Sequence, residues 1–96
     1  MNPTYQIAIK IRTPEGLADA GYFSLGTDLD FALSTFDSLK GEFNDTNDAD
    51  IRICLIEKSA KAPPKQLKSI GCILNEFADN SKVIVRDIFK LLNLEK

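Results

Sequence analysis

The 96-residue sequence contains no histidine, no tryptophan and only two cysteines, Cys54 and Cys72. Histidine is the commonest general base and metal ligand in proteins, so its absence excludes Ser-His-Asp and Cys-His catalysis and zinc sites of the cysteine/histidine type. Two thiols do not make a disulfide framework. The acids fall mainly at helix starts, in turns and on exposed helix faces. The sequence therefore favours a non-enzymatic protein without a cofactor or metal ion.

Long apolar runs are also missing, because the longest spans only a few residues whereas a bilayer-spanning helix needs about 20. The first five residues lack the basic and then apolar pattern of a secretory signal. We therefore expect a cytoplasmic protein with reduced thiols and no membrane contact. The net charge of −2 is too small to predict a nucleic-acid partner.

The composition that remains is that of an ordinary globular protein, 44% hydrophobic and 27% charged. A chain of this length supports one hydrophobic core, and we expect a single α+β domain over residues 1–96.

The N-terminal segment predicts a β-hairpin. Residues at every second position are large and apolar, which is typical of a half-buried strand: Tyr5, Ile7, Ile9 and Ile11. Residues 13–16 predict a turn and residues 17–26 the partner strand. Strict alternation would place Asp19 on the apolar face, so a bulge or break is expected near Gly21.

A helix is predicted next, because the following apolar residues fall within a stripe about 120° wide. These residues are Leu29, Ala32, Leu33, Phe36, Leu39 and Phe43. Thr27 or Asp28 is expected to cap this helix and Gly41 to end it. Phe31 lies outside the stripe and is predicted to be an exposed aromatic side chain suited to an interface.

The second half predicts a third strand over residues 51–56, a loop over 58–72 and a long C-terminal helix. Proline at positions 63 and 64 favours the loop, with at most a short helical turn around 64–69. The apolar stripe of the last helix contains Ile73, Leu74, Phe77, Ala78, Ser81, Ile84, Val85, Ile88, Phe89, Leu91 and Leu92. In an alternative interpretation of the sequence, residues 83–85 form a strand.

The predicted order is therefore β-β-α-β-α, a two-layer α+β fold with a three-stranded antiparallel sheet and both helices on one face. The opposite face of the sheet would be left uncovered. Together with Phe31, its mixed polar and apolar residues are the predicted interface: Ala8, Lys10, Tyr22, Arg52, Cys54 and Ile56. We expect contact with a second copy or with another protein that this chain assists.

An alternative function is the binding of an anion or small molecule by lysines beside the start of the last helix: Lys58, Lys61, Lys65 and Lys68. A solvated loop explains these lysines better, because two prolines remove backbone donors and no glycine-rich phosphate loop is present. A deep pocket lined by the lysines would favour ligand binding. Cys72, just before the same helix, suggests a reactive thiol, although no histidine base is available.

Overall fold

The computed structural model describes residues 3–42 and 49–92, which contain four strands and two helices. In chain order these are β1 (Thr4–Thr13), β2 (Gly16–Gly26), α1 (Leu29–Asp37), β3 (Ile51–Ser59), β4 (Ala62–Cys72) and α2 (Leu74–Leu91). The strands form one antiparallel sheet in the order β2-β1-β3-β4. The α+β class is confirmed, but the sheet has four strands and not the predicted three.

The additional strand, β4, occupies most of residues 58–72. The predictions of a loop and of a short helical turn in this segment are therefore wrong. Pro63 and Pro64 are compatible with β4 because it lies at the edge of the sheet, where one side of the backbone has no neighbouring strand to bond. A register shift opposite β3 leaves Leu67 between two paired positions. This extra residue interrupts the alternation by which a strand is recognised in a sequence.

The β1–β2 hairpin is confirmed, together with the irregularity expected near Gly21. Ile9 pairs with Gly21 and Lys10 pairs with Asp19, so Ala20 is an extra residue in β2. The bulge moves Asp19 to the face of the sheet that carries Lys10, away from the buried isoleucines.

The hydrophobic core lies between one face of the sheet and the two helices. Its largest fully buried apolar side chains come from all four strands and both helices: Ile7, Leu25, Phe36, Ile53, Leu55, Ile70 and Ile84. Phe36 belongs to α1 and Ile84 to α2, so the prediction that both helices cover the isoleucine face is confirmed. Ile11, at the far end of β1, is 45% exposed.

The start of α1 is confirmed, since the Asp28 carboxylate accepts a hydrogen bond from the Phe31 backbone N–H at 3.2 Å. This contact satisfies one of the amides that an isolated helix leaves unpaired at its N-terminus. The helix ends at Asp37, four residues before the predicted stop at Gly41.

Gly41 instead permits a close contact with the edge of the sheet. A Cβ atom at this position would lie 2.6 Å from the carbonyl oxygen of Gly71, too close for any side chain. Immediately afterwards, Glu42 and Gly71 exchange two backbone hydrogen bonds of 2.9 and 2.8 Å. The chain is thereby held against the C-terminal end of β4.

The long C-terminal helix is confirmed, and the alternative strand over residues 83–85 is wrong, because these residues lie within α2. The two helices run antiparallel, as one contact between them and one with the segment just after α1 show. The Asn80 side chain bonds the backbone of Lys40, and the Thr35 hydroxyl donates to Asp87 at 2.9 Å.

Candidate interaction surfaces

The first candidate surface is the sheet face that the helices leave uncovered. The strand register brings six of the predicted interface residues together there: Ala8, Lys10, Tyr22, Arg52, Cys54 and Ile56. Ala8 lies between Tyr22 and Cys54, and Lys10 pairs with Arg52. Tyr22, which is 67% exposed, projects furthest into solvent among these six.

This face presents less apolar surface than the sequence suggested. Cys54 is only 1% exposed and lies 3.7 Å from the Ser69 hydroxyl, so its predicted display on the surface is wrong. Arg52 donates to the same hydroxyl at 2.9 Å. These neighbours cover the thiol, while Ala8 and Ile56 are half-buried.

Phe31 does not contribute an exposed aromatic anchor either. It is half-buried and packs against the hydrophobic core. A helical wheel with a single buried stripe underestimates its burial because α1 contacts β1, β2 and α2, so a large part of the helix circumference is covered.

The four lysines of the predicted anion site are not assembled beside α2. Lys58 lies in β3 and Lys61 in the β3–β4 turn, far along the strand from the helix start. Lys65 and Lys68 lie in β4, and the Lys68 ammonium is 2.7 Å from an Asp37 carboxylate oxygen at the end of α1. The predicted position beside α2 is wrong because β3 and β4 form a hairpin, which carries Lys58, Lys61 and Lys65 to the end of the two strands furthest from the helix start.

Two surface depressions have volumes of about 380 and 270 Å³, and none of the four lysines lines them. The larger lies at the β1–β2 turn. The smaller is lined by Ile11, Arg12, Asp50, Ile51 and Leu74.

Cys72 is buried at the end of β4 and does not have the properties of a reactive thiol. Burial, followed by the charge of Glu76, raises the pKa of the Cys72 thiol to about 11, while a hydrogen bond with Asn80 acts in the opposite direction. A thiol is nucleophilic as its thiolate, and the raised pKa disfavours the thiolate, so the hypothesis of a reactive Cys72 is wrong. The sequence did not reveal that the side chain points into the core.

The raised pKa of Cys72 predicts a loss of stability in alkaline solution. Below pH 9 the thiol is protonated in both states, whereas between pH 9 and about 11 it ionises mainly in the unfolded chain. The free energy of unfolding should therefore fall across this interval, by on the order of 2 kcal/mol. Urea unfolding of the wild type and Cys72→Ala at pH 8 and pH 10.5 measures this contribution. An equal pH-dependent loss in both proteins would contradict it.

The second candidate surface, here called the α2 flank, is the exposed apolar side of the C-terminal helix. It consists of five exposed apolar residues and the half-buried Ser81, at intervals of four or three residues: Leu74, Ala78, Ser81, Val85, Phe89 and Leu92. Leu74 is 67%, Leu92 58%, Phe89 46% and Val85 38% exposed. The spacing places these side chains in one row along α2.

A neighbouring row on the same helix faces the core, with Ile84 fully buried and Phe77 and Ile88 packed against the cluster. The sequence placed both rows in one buried stripe. The apolar stripe is about 160° wide at 100° per residue, which is wider than a helix needs to pack against one sheet. This excess width is the feature of the sequence that could have indicated an exposed apolar row.

The α2 flank continues onto the sheet. Leu74 and Ile11 line the same 270 Å³ depression. Apolar surface therefore extends from the end of β1 along α2 to Leu92.

Neither described helix is both long and apolar enough to cross a membrane. Within residues 3–42 and 49–92, no three cysteine, aspartate or glutamate side chains are grouped so that they could hold a metal ion. Comparisons with protein-family models, curated proteins and solved structures found no match to this chain.

Proposed function

We propose that the protein acts through contact with another protein chain and not through catalysis, and that the α2 flank is the contacting surface. The observation that supports this proposal is the exposure of four large apolar side chains in one row: Leu74, Val85, Phe89 and Leu92. Scattered exposed hydrophobic residues are normal on a monomer, whereas a contiguous apolar patch usually marks an interaction site.

The α2 flank is a better candidate than the uncovered sheet face. On that face the central thiol of Cys54 is shielded, and Tyr22 is the main exposed aromatic side chain. A protein interface needs several apolar side chains that lose water together, with polar groups at the rim. The α2 flank has this composition, since Asn75, Lys82 and Arg86 lie on its solvent side.

The alternative function, an anion-binding regulator that uses the four lysines, has less support. Three of the lysines lie at the turn end of the β3–β4 hairpin, away from the start of α2, and Lys68 already pairs with Asp37. Exposed lysines without convergent donors do not form a selective site.

Photo-crosslinking in cells that express the chain tests which surface contacts protein. Benzoylphenylalanine replaces Phe89 in one variant and Tyr22 in another, so that an aromatic residue replaces an aromatic residue on each surface. We expect adducts of discrete mass from position 89 and few from position 22, because only the α2 flank is covered by a partner.

Adducts from position 22 alone would overturn the assignment to α2. If neither position gave adducts, with both variants folded by circular dichroism, the proposal of a protein-contact function would be wrong. The mass of the adduct at position 89 also identifies its class, since twice 10.7 kDa indicates a second copy and any other mass a different protein.

A further inference from the structure

We infer that the chain that covers the α2 flank is a second copy of this protein, with the two α2 helices antiparallel about a two-fold axis. This inference rests on the proposed function and adds the identity of the partner. A two-fold interface uses the same patch on both copies, so the patch must be complementary to itself when reversed.

The α2 flank meets this requirement in the sizes of its residues. With the axis near position 83, Leu74 of each copy lies opposite Leu92 of the other. The same register puts Ala78 opposite Phe89 and Ser81 opposite Val85. Each small residue thus meets a large one, which is the arrangement that lets two helices interlock closely.

The charges of α2 favour the antiparallel orientation over the parallel one. Its first half, residues 74–81, carries two acids and no base, Glu76 and Asp79. Its second half, residues 82–91, carries Lys82, Arg86 and Lys90 against one acid, Asp87. The halves are therefore −2 and +2, and reversal places Asp79 of one copy, which also pairs with its own Lys40 at 3.3 Å, nearly opposite Arg86 of the other on the solvent side of the row.

The length of the helix sets the expected strength of the dimer. Eighteen residues extend about 27 Å. Two such helices in contact along one row bury an area near the lower limit for a specific interface, about 1,000 Å² in total. The depression lined by Ile11 and Leu74 lies beside the position that Leu92 of the second copy takes in this register. We expect a dissociation constant in the micromolar range.

The position of Lys82 distinguishes this antiparallel register from other ways of pairing two copies. It lies at the solvent edge of the α2 flank, beside the two-fold axis, so the two Lys82 side chains approach each other in the dimer. Replacing the lysine of one copy by an acid would turn this repulsion into attraction. A parallel pairing or a contact through the sheet face would not place these residues together.

Analytical ultracentrifugation of the full chain from about 1 to 500 µM tests the inference. The wild type should show a monomer–dimer equilibrium, and Val85→Glu should raise the dissociation constant about 100-fold or more, because each dimer would take two carboxylates out of water in the middle of an apolar row. Phe89→Lys is a second disrupting variant, in case one does not fold. Tyr22→Glu, on the uncovered sheet face, is the matched control and should dimerise like the wild type.

The register is tested by mixing the wild type with Lys82→Glu. Both homodimers place like charges together and the mixed dimer opposite charges, so mixed dimers should exceed their statistical share. A purely statistical mixture would overturn the antiparallel register. A wild type that stays at 10.7 kDa up to 500 µM would overturn the inference that the partner is a second copy. The proposed function would still stand if position 89 crosslinks to another protein.

Discussion

Replacing Ile84 by alanine is expected to lower the free energy of unfolding by about 3 kcal/mol. Ile84 is fully buried and is the deepest apolar contact of α2 with the sheet and α1. Truncation removes its transfer free energy and leaves a cavity that a packed core cannot fully close. Chemical denaturation monitored by circular dichroism gives the difference between wild type and variant.

The neighbouring Val85 provides the control, because it lies on the same turn of α2 but is 38% exposed. Val85→Ala should change the stability of the monomer by less than about 0.5 kcal/mol, measured at a concentration too low for association. Equal losses at the two positions would show that α2 is rotated about its axis, and the α2 flank would then be wrongly assigned.

Asn80→Ala is expected to cost about 2–3 kcal/mol, an unusually large effect for one amide side chain. Asn80 is 1% exposed, accepts from the Lys40 backbone N–H at 2.7 Å and donates to the Lys40 carbonyl at 2.8 Å. Both bonds join α2 to the segment that follows α1. Their removal would loosen the link between the helices and leave a gap in the core.

Asn75→Ala is the matched variant, since Asn75 is exposed near the start of the same helix. Alanine is a better helix former than asparagine, so this change should be neutral or slightly stabilising. Thermal unfolding of both variants, compared with the wild type, separates the two positions. A small effect at Asn80, similar to that at Asn75, would mean that water replaces the two bonds without cost.

Much of the fold follows from local patterns that the sequence displays directly. Alternation in β1 and β3, the turn at residues 13–16 and the Asp28 cap each depend on neighbouring residues, and the structure confirms them. The bulge was predictable for the same reason, because Asp19 would otherwise have been carried onto the apolar face.

The elements that sequence reasoning missed depend on tertiary surroundings. β4 has no continuous alternation, since Leu67 is an extra residue, and Pro63 and Pro64 are acceptable only because this strand lies at an edge. Gly41 does not end α1 but approaches Gly71, a contact between residues thirty positions apart in the chain.

The candidate site was less predictable than the fold. A helical wheel shows which residues of α2 are apolar but not which of them meet the sheet, so Ile84 and Val85 were assigned to one buried stripe. The burial of Cys54 beneath its neighbours on the uncovered face, and of Cys72 in the core, likewise depends on residues distant in the sequence.

The two edges of the sheet have a consequence for how far self-assembly can proceed. β2 carries irregularities that disturb a flat hydrogen-bonding edge, and β4 carries two prolines at one end and the bridge to Glu42 at the other. Neither edge is a good template for strand-by-strand polymerisation into fibrils. Association through a helix about a two-fold axis is closed once the first pair has formed, so growth should stop at that stage even at high protein concentration.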